Sequence, residues 1–412
     1  MVRRDLEMKV LMINSVSGYG STGSICEDIA TVLEKQGHKC YIAYGQLFTS
    51  YPKSFKIGTK LENHIHNIGS RILGTQGYFS RNGTKNLISY IENVKPDIIH
   101  LHNLHGNYLN LKVLFEYLIS SQIPIVWTLH DCWAFTGKCS HFTDVQCFKW
   151  KTHCYECPQV KAYPPSLFFD KSREMYDDKK KWFTDISKMT IIPVSKWLES
   201  EVKQSFLKKY PIKSIYNWVD HSIFKENIDQ EFITKYKINV DKFNIILVSA
   251  GWNITDVKWI DALKLSTIIQ DSMQILMIGN VSSPELLPKN ITHISYLDGK
   301  EELAKAYSIA DVYVHLSTED TFGKVIAEAI SCGTPAIVYN STACPEIIDE
   351  SCGYVAEKRN VVQIFDSILR IKEKKRTSFS EHCRKRVIEK FDLDTNVNST
   401  INIYEKMLEN VS

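Results

Sequence analysis

The sequence predicts two α/β domains, each a parallel sheet wrapped by helices in the doubly wound manner. Three observations point there. The chain has 412 residues, more than one compact domain of common size holds and suitable for two. Its first half alternates short β-branched runs with longer amphipathic stretches. The same grammar starts again near Phe243.

In order, strands are expected at Val10 to Asn14, Cys40 to Tyr44, Asp97 to Leu101 and Ile123 to Leu129, with a helix near Ser24 to Gln36. The stretch from Cys132 to Asp170 is irregular and rich in Cys, aromatic residues and Pro. It reads as a long excursion at the carboxyl end of a strand, where such folds keep their sites. The second series runs strand Asn244 to Ala250, helix Trp259 to Ile268, strand Gln274 to Ile278 and helix Glu302 to Ala310. Strand Val312 to Leu316, helix Gly323 to Ser331 and strand Pro335 to Tyr339 complete it. The reading places domains at 1–213 and 214–390, joined around Tyr210 to Phe224, with a last helix in 391–412 that returns to the first domain.

Hydrophobic residues make up 44% and charged residues 24%, an ordinary globular balance. A net charge of +3 gives no argument for nucleic acid. The apolar run after the charged start is short and has no small-residue cleavage site, so no signal peptide is expected. No apolar run has spanning length. A cytoplasmic location is expected, where the eleven cysteines stay free thiols or metal ligands.

The segment Ser317 to Val338 carries the most chemistry. It follows a strand and opens a helix, so backbone amides and the positive helix end suit a phosphate or sugar oxygen. Gly323 lets the backbone approach closely. Asp320 and Glu328 sit at the same mouth and can grip sugar and ribose hydroxyls; the plain alternative is an N-cap at Asp320 or Thr321 and a solvated Glu328. Ser17 to Ser24 supplies three glycines between strand and helix, either an anion loop or an ordinary tight turn. His130 and Asp131 end a strand, where the imidazole can meet a sugar hydroxyl or serve structure alone. His102 and Asn103 are a similar, less specific pair, and the histidines at 100, 102 and 105 lack metal-site spacing. Cys139, Cys147, Cys154 and Cys157 crowd the irregular loop. A structural zinc that staples it competes with four unrelated buried thiols.

Together these stretches resemble the family-4 retaining glycosyltransferases of the two-domain GT-B fold, in which two Rossmann-like domains face across a cleft. Phe322, Gly323 and Glu328 match the family's paired-acid motif, while Asp320, with Glu319 beside it, stands where the family has Glu. Asn217-Trp-Val-Asp220 resembles its linker, with Trp218 for Gly, and Glu302 to Asp311 and Pro345-Glu346 resemble its flanking segments. Lys95 to His105 and Thr128 to Trp133 are closest to bacterial exopolysaccharide and colanic-acid-type transferases.

The resemblance implies that Glu328 binds ribose and that Glu319, Asp320, Thr321 and the Phe322, Gly323 and Lys324 amides meet the donor sugar and diphosphate. Lys258 matches the family's diphosphate-binding lysine, while Asn253 replaces its arginine. Gly20, Ser21 and Thr22 are placed near the donor, His130 on its sugar, and His102, Asn103 and Asp131 on the acceptor side. It implies metal-independent, retaining hexosyl transfer from a UDP- or GDP-type sugar to a saccharide or lipid-linked saccharide in surface polysaccharide biosynthesis. Peripheral contact with the inner membrane is expected through Lys179 to Phe183 and Lys208-Lys209. Two rival readings stay open: a non-catalytic partner that binds sugar nucleotide or glycan, and a sugar-nucleotide epimerase.

Overall fold

The computed structural model describes residues 7–409. The chain divides into two compact units, one reaching to Ile215 and including the segment from Asp394 on, the other spanning Tyr216–Leu393.

The first unit is built on a parallel sheet of β1 (Lys9–Asn14), β2 (Lys39–Tyr44), β3 (Ser54–Lys56), β4 (Ile98–Leu101), β5 (Ile125–Leu129) and β6 (Met189–Pro193). Their order is β3-β2-β1-β4-β5-β6. Val10 faces Cys40 on one side and Ile98 on the other. Winding reverses between β1 and β4, which opens a crevice beyond their carboxyl ends. The second unit repeats this plan with β7 (Phe243–Trp252), β8 (Met273–Val281), β9 (Ile291–Ile294), β10 (Val312–His315), β11 (Ala336–Tyr339) and β12 (Gly353–Ala356), ordered β12-β11-β10-β7-β8-β9. Its switch point lies between β7 and β10, which pair in parallel.

Helices cover both faces of such sheets, so the inner strands read as unbroken apolar runs: Val10 to Ile13, Ile245 to Leu247 and Ile275 to Met277 are fully buried. The strands missing from the sequence reading are β3, β6, β9 and β12, the four sheet edges. β3, β9 and β12 are only partly buried, so they lack the unbroken apolar run that marks the inner strands. The first helix begins at Gly20, four residues earlier than expected.

The closing helix, Leu393–Glu409, belongs to the first unit. Its Tyr404 hydroxyl lies 2.6 Å from His100 Nδ1, while His100 Nε2 is 2.8 Å from Thr128 Oγ1 on β5. Both ring nitrogens of this buried strand histidine are thereby satisfied. The expected membrane surface at Lys179 to Phe183 is corrected: Lys179, Trp182 and Phe183 are buried, because this face of the helix Ser172–Thr184 packs inward. Among the described residues no helix is long and apolar enough to cross a membrane.

Tyr404→Phe removes one partner of a fully buried imidazole. A loss of about 1–3 kcal/mol is expected in denaturant unfolding, with the far-ultraviolet spectrum unchanged.

Candidate active site

In the second unit the site grows from the ends of β7 and β10. β10 runs directly into the turn at 316–323, and Gly323, in the left-handed region at φ 84°, caps the helix Lys324–Ser331. A side chain there would be strained and would also press on Ile326. The Ile326 amide bonds back to the Gly323 carbonyl, which leaves the first two amides of that helix, at Lys324 and Val325, as its anion-ready end.

Asp320 is not a helix cap. Its Oδ2 lies 2.6 Å from His315 Nε2, and His315 Nδ1 is 2.7 Å from the Tyr313 hydroxyl, so strand β10 orients the carboxylate. The Asp320 amide donates to Thr342 and its carbonyl accepts from Ala343. His315, Asp320 and Cys344 stand close enough for a metal, though the short His315–Asp320 contact already has hydrogen-bond geometry. Sequence reasoning missed His315: a histidine inside an apolar strand has no periodic signature.

Glu328 sits in the helix Lys324–Ser331 and is buried rather than solvated. Burial pushes its carboxyl up to about 7, against the pull of Lys324 and Lys300. Thr321 and Glu319 lie half-buried in the turn before it. The Phe322 side chain is 2% exposed and packs edge-on against Phe391 and near Tyr216, so only its backbone is available to a ligand. Tyr216 also donates to Glu346, and the Val219 amide to the Phe391 carbonyl, which seats the 217–220 segment on this unit. After β7, Lys258 Nζ donates to Ser249 Oγ at 2.7 Å and sits over the Trp252 ring. Asn253 is exposed and turns towards Asp256.

In the first unit the switch point gathers Asn14, His102, Asn103 and His130. Asn14 Oδ1 accepts the Asn103 amide, and its Nδ2 donates to the Val16 carbonyl. His102 Nδ1 lies 3.0 Å from His130 Nε2, their rings stacked, and the His100 ring lies tilted against His102 at 4.0 Å. Burial pushes His102 well below its ordinary pKa and His100 down to about 3, with neighbouring imidazoles adding to both. These rings are therefore neutral at pH 7, fit to pass hydrogen bonds towards a hydroxyl. Gly20, Ser21 and Thr22 form the first helical turn, not a loop, and so offer its unsatisfied amides. Glu27 braces the preceding turn by accepting from Ser17 and Thr49.

Asp131 belongs to a separate group. Its Oδ2 is 2.7 Å from His105 Nε2, its Oδ1 accepts the Trp133 amide, and His105 Nδ1 meets the Tyr163 hydroxyl. Burial would raise Asp131, but the His105 charge and these hydrogen bonds hold it below the usual carboxylate range. Tyr163 also lines a groove of about 990 Å³ with Gln46, Phe48, Lys56, Asn67 and Arg71. Among the described residues no carboxylate lines that groove, whereas Lys56, Lys60 and Arg71 do.

Cys139, Cys147, Cys154 and Cys157 all line one small cavity of about 20 Å³. Cys139 and Cys157 have their sulfurs 3.7 Å apart, and Cys154 accepts the Gly137 amide. The four do not close on one point in this structure.

The sequence pattern of the family described as "Glycosyltransferase Family 4" matches residues 22–223, and that of "Glycosyl transferases group 1" matches residues 258–389. The chain is 23% identical over 373 residues to the Escherichia coli K12 protein named as a colanic acid biosynthesis glycosyl transferase, WcaC, covering 87% of this chain and 89% of that one. Among solved structures, a sucrose-phosphate synthase from Thermosynechococcus elongatus superposes with a TM-score of 0.69 at 16% identity, covering 98% and 100% of the two chains. Anabaena HepE in complex with UDP and glucose does so with a TM-score of 0.65 at 13% identity, covering 97% and 100%.

The raised carboxyl of Glu328 sets a stability test. Its folded pKa of about 7 lies above the ordinary 4.5, so the folded state holds the proton more tightly. Its stabilising share is fully present below pH 4.5 and is lost as pH rises to about 7. Glu328→Gln is expected to gain on wild type across that window, by up to about 3 kcal/mol at pH 8. Paired denaturant titrations at pH 4.5, 6 and 8 check it; equal pH profiles contradict it.

Proposed function

The chain is a glycosyltransferase of the family-4 type with the GT-B fold, and from that premise we propose that it transfers a hexose from a nucleoside diphosphate sugar to a lipid-linked saccharide in surface polysaccharide biosynthesis, with retention at the anomeric carbon and without a catalytic metal. One observation carries the reading: a buried carboxylate, Glu328, in the helix whose open N-terminus Gly323 caps, with Lys258 supplied by the first turn of the helix Val257–Ile268 that follows the neighbouring strand. A carboxylate that accepts both ribose hydroxyls recovers in hydrogen bonds what its burial costs. The helix amides and the Lys258 ammonium suit the diphosphate.

As the anomeric bond loosens, negative charge gathers on the departing diphosphate. Lys258, pre-positioned by Ser249, and the helix end at Gly323 stabilise that charge more in the transition state than in the bound donor. The acceptor hydroxyl gives its proton to a departing phosphate oxygen, so no protein base is assigned. Asp320, oriented by His315, and Glu319 beside it take sugar hydroxyls of the donor. In the first unit, His130, held by His102, is fit to serve a sugar hydroxyl.

The groove beside Tyr163 suits the acceptor. Its three cationic side chains and lack of carboxylates favour an anionic diphosphate linkage, and the exposed Leu47 and Phe48 on its lining favour a lipid chain. Membrane contact is accordingly assigned to this face instead of Lys179 to Phe183. The relative named for colanic acid biosynthesis agrees with a polysaccharide role.

The test is incubation of the full chain with labelled UDP-, GDP- and dTDP-sugars and a polyprenyl-diphosphate-linked saccharide. Labelled lipid product plus free nucleoside diphosphate is expected. An isomerised donor would instead make the chain an epimerase, and donor binding without turnover a non-catalytic partner. Lys258→Met should lower kcat by about 10²–10³-fold. Arg71→Glu should raise the KM for the lipid-linked acceptor and leave that for the donor unchanged.

A further inference from the structure

The irregular loop between β5 and the helix Ser172–Thr184 holds a problem of charge. Two lysines are buried in it, Lys138 at 4% and Lys179 at 1% exposure. A buried ammonium ordinarily has an anionic partner, because taking it out of water costs several kcal/mol. Neither lysine forms an ion pair. Lys138 Nζ donates to the carbonyls of Gln159, Val160 and Ala162. Lys179 Nζ donates to those of Trp133 and Thr136 and lies over the Trp133 ring at 3.6 Å. The nearby carboxylates are otherwise committed: Asp131 to His105 and the Trp133 amide, Asp170 to the amides of Cys157 and Ser172. Among the described residues, the other groups able to carry negative charge that act on these lysines are thiols, Cys139 and Cys157 on Lys138, Cys154 and Cys139 on Lys179.

Those thiols, with Cys147, line the same small cavity. A tetrahedral site with zinc–sulfur bonds of about 2.3 Å spaces its sulfurs about 3.8 Å apart. The Cys139–Cys157 pair stands at 3.7 Å, already at that spacing. Cys154 and Cys157 form the Cys-x-x-Cys half common in such sites. The Gly137 amide points at Cys154 sulfur at 3.2 Å, as amides do around metal-bound thiolates. The wall includes Phe142 and Trp150, which keep it from water.

We propose that Cys139, Cys147, Cys154 and Cys157 bind one structural zinc ion as a four-thiolate centre, and that Lys138 and Lys179 are its buried counter-charges. Four thiolates around a divalent ion leave two surplus negative charges, which two ammoniums balance. The thiol protons leave to solvent as the metal binds. Closure needs Cys147 and Cys154 to swing towards the existing pair. The centre staples the loop at the point where Lys138 gathers the carbonyls of 159–162, just before Tyr163 meets His105. This inference stands apart from the catalytic reading, since it concerns the loop's metal and charge alone.

The experiment uses the full chain purified without chelators. Elemental analysis should find one zinc per chain, and cobalt exchanged for it should show the intense thiolate-to-cobalt absorption of a four-sulfur site. Cys154→Ser should lose the metal. Should that variant not fold, wild type still decides: a chelator should release zinc and expose four further thiols to a thiol reagent. A metal-free chain, a cobalt spectrum without sulfur ligation, or a mass showing a Cys139–Cys157 disulfide overturns the site. Lys179→Met keeps the apolar stem and removes the charge; zinc release to chelator about tenfold faster is expected. Unchanged release overturns the counter-charge role.

Discussion

Both faces of each parallel sheet are covered by helices, and that constraint governs where polar chemistry can stand. A strand buried on both sides admits few polar side chains, since each needs its partners inside the protein. Polar groups therefore collect where strands end. In the first unit they are Asn14, His102, Asn103 and His130; in the second, Lys258 after β7 and the 316–323 turn after β10. The reversal of winding between β1 and β4, and again between β7 and β10, leaves these ends uncovered by crossover connections.

The few polar residues inside the sheets follow from the same constraint. His100 lies within β4, bonded to Thr128 and Tyr404, with its ring tilted against His102. His315 is the last residue of β10, bonded to Tyr313 and Asp320. Each is a buried imidazole with both ring nitrogens hydrogen-bonded; that of His315 carries the bond to the strand-end Asp320, and that of His100 lies against His102, which in turn bonds His130. Through them the rigid sheets set the orientation of His130 and Asp320, which loops alone would hold loosely.

The cysteine-rich loop is a long stretch whose only regular element among the described residues is the short 3-10 helix Lys149–Lys151, with a few turns around it, and side chains hold it. Aromatic packing of Phe135, Phe142 and Trp150 gives it a small core. Lys138 and Lys179 draw its carbonyls inward, an arrangement that trades water for backbone oxygens. The same burial that removes Lys179 from any membrane surface is what makes it informative about the thiols beside it.

The sequence by itself determined the doubly wound class, the repeat of that plan, and the inner strands, because a parallel strand buried on both faces writes its burial as an uninterrupted apolar run. It also singled out Asp320, Phe322, Gly323 and Glu328, through the resemblance to the family's paired-acid motif; their spacing by itself left an N-cap and a solvated glutamate equally open. Edge strands β3, β6, β9 and β12 were not read: β3, β9 and β12 are only partly buried and so lack an unbroken apolar run. Partnership was decided only by the tertiary structure. That Asp320 is held by His315, Lys258 by Ser249, Asp131 by His105, and that Lys179 turns inward, depends on distances between segments brought together by packing. Local pattern records which face of an element is apolar; it does not record which residue stands opposite.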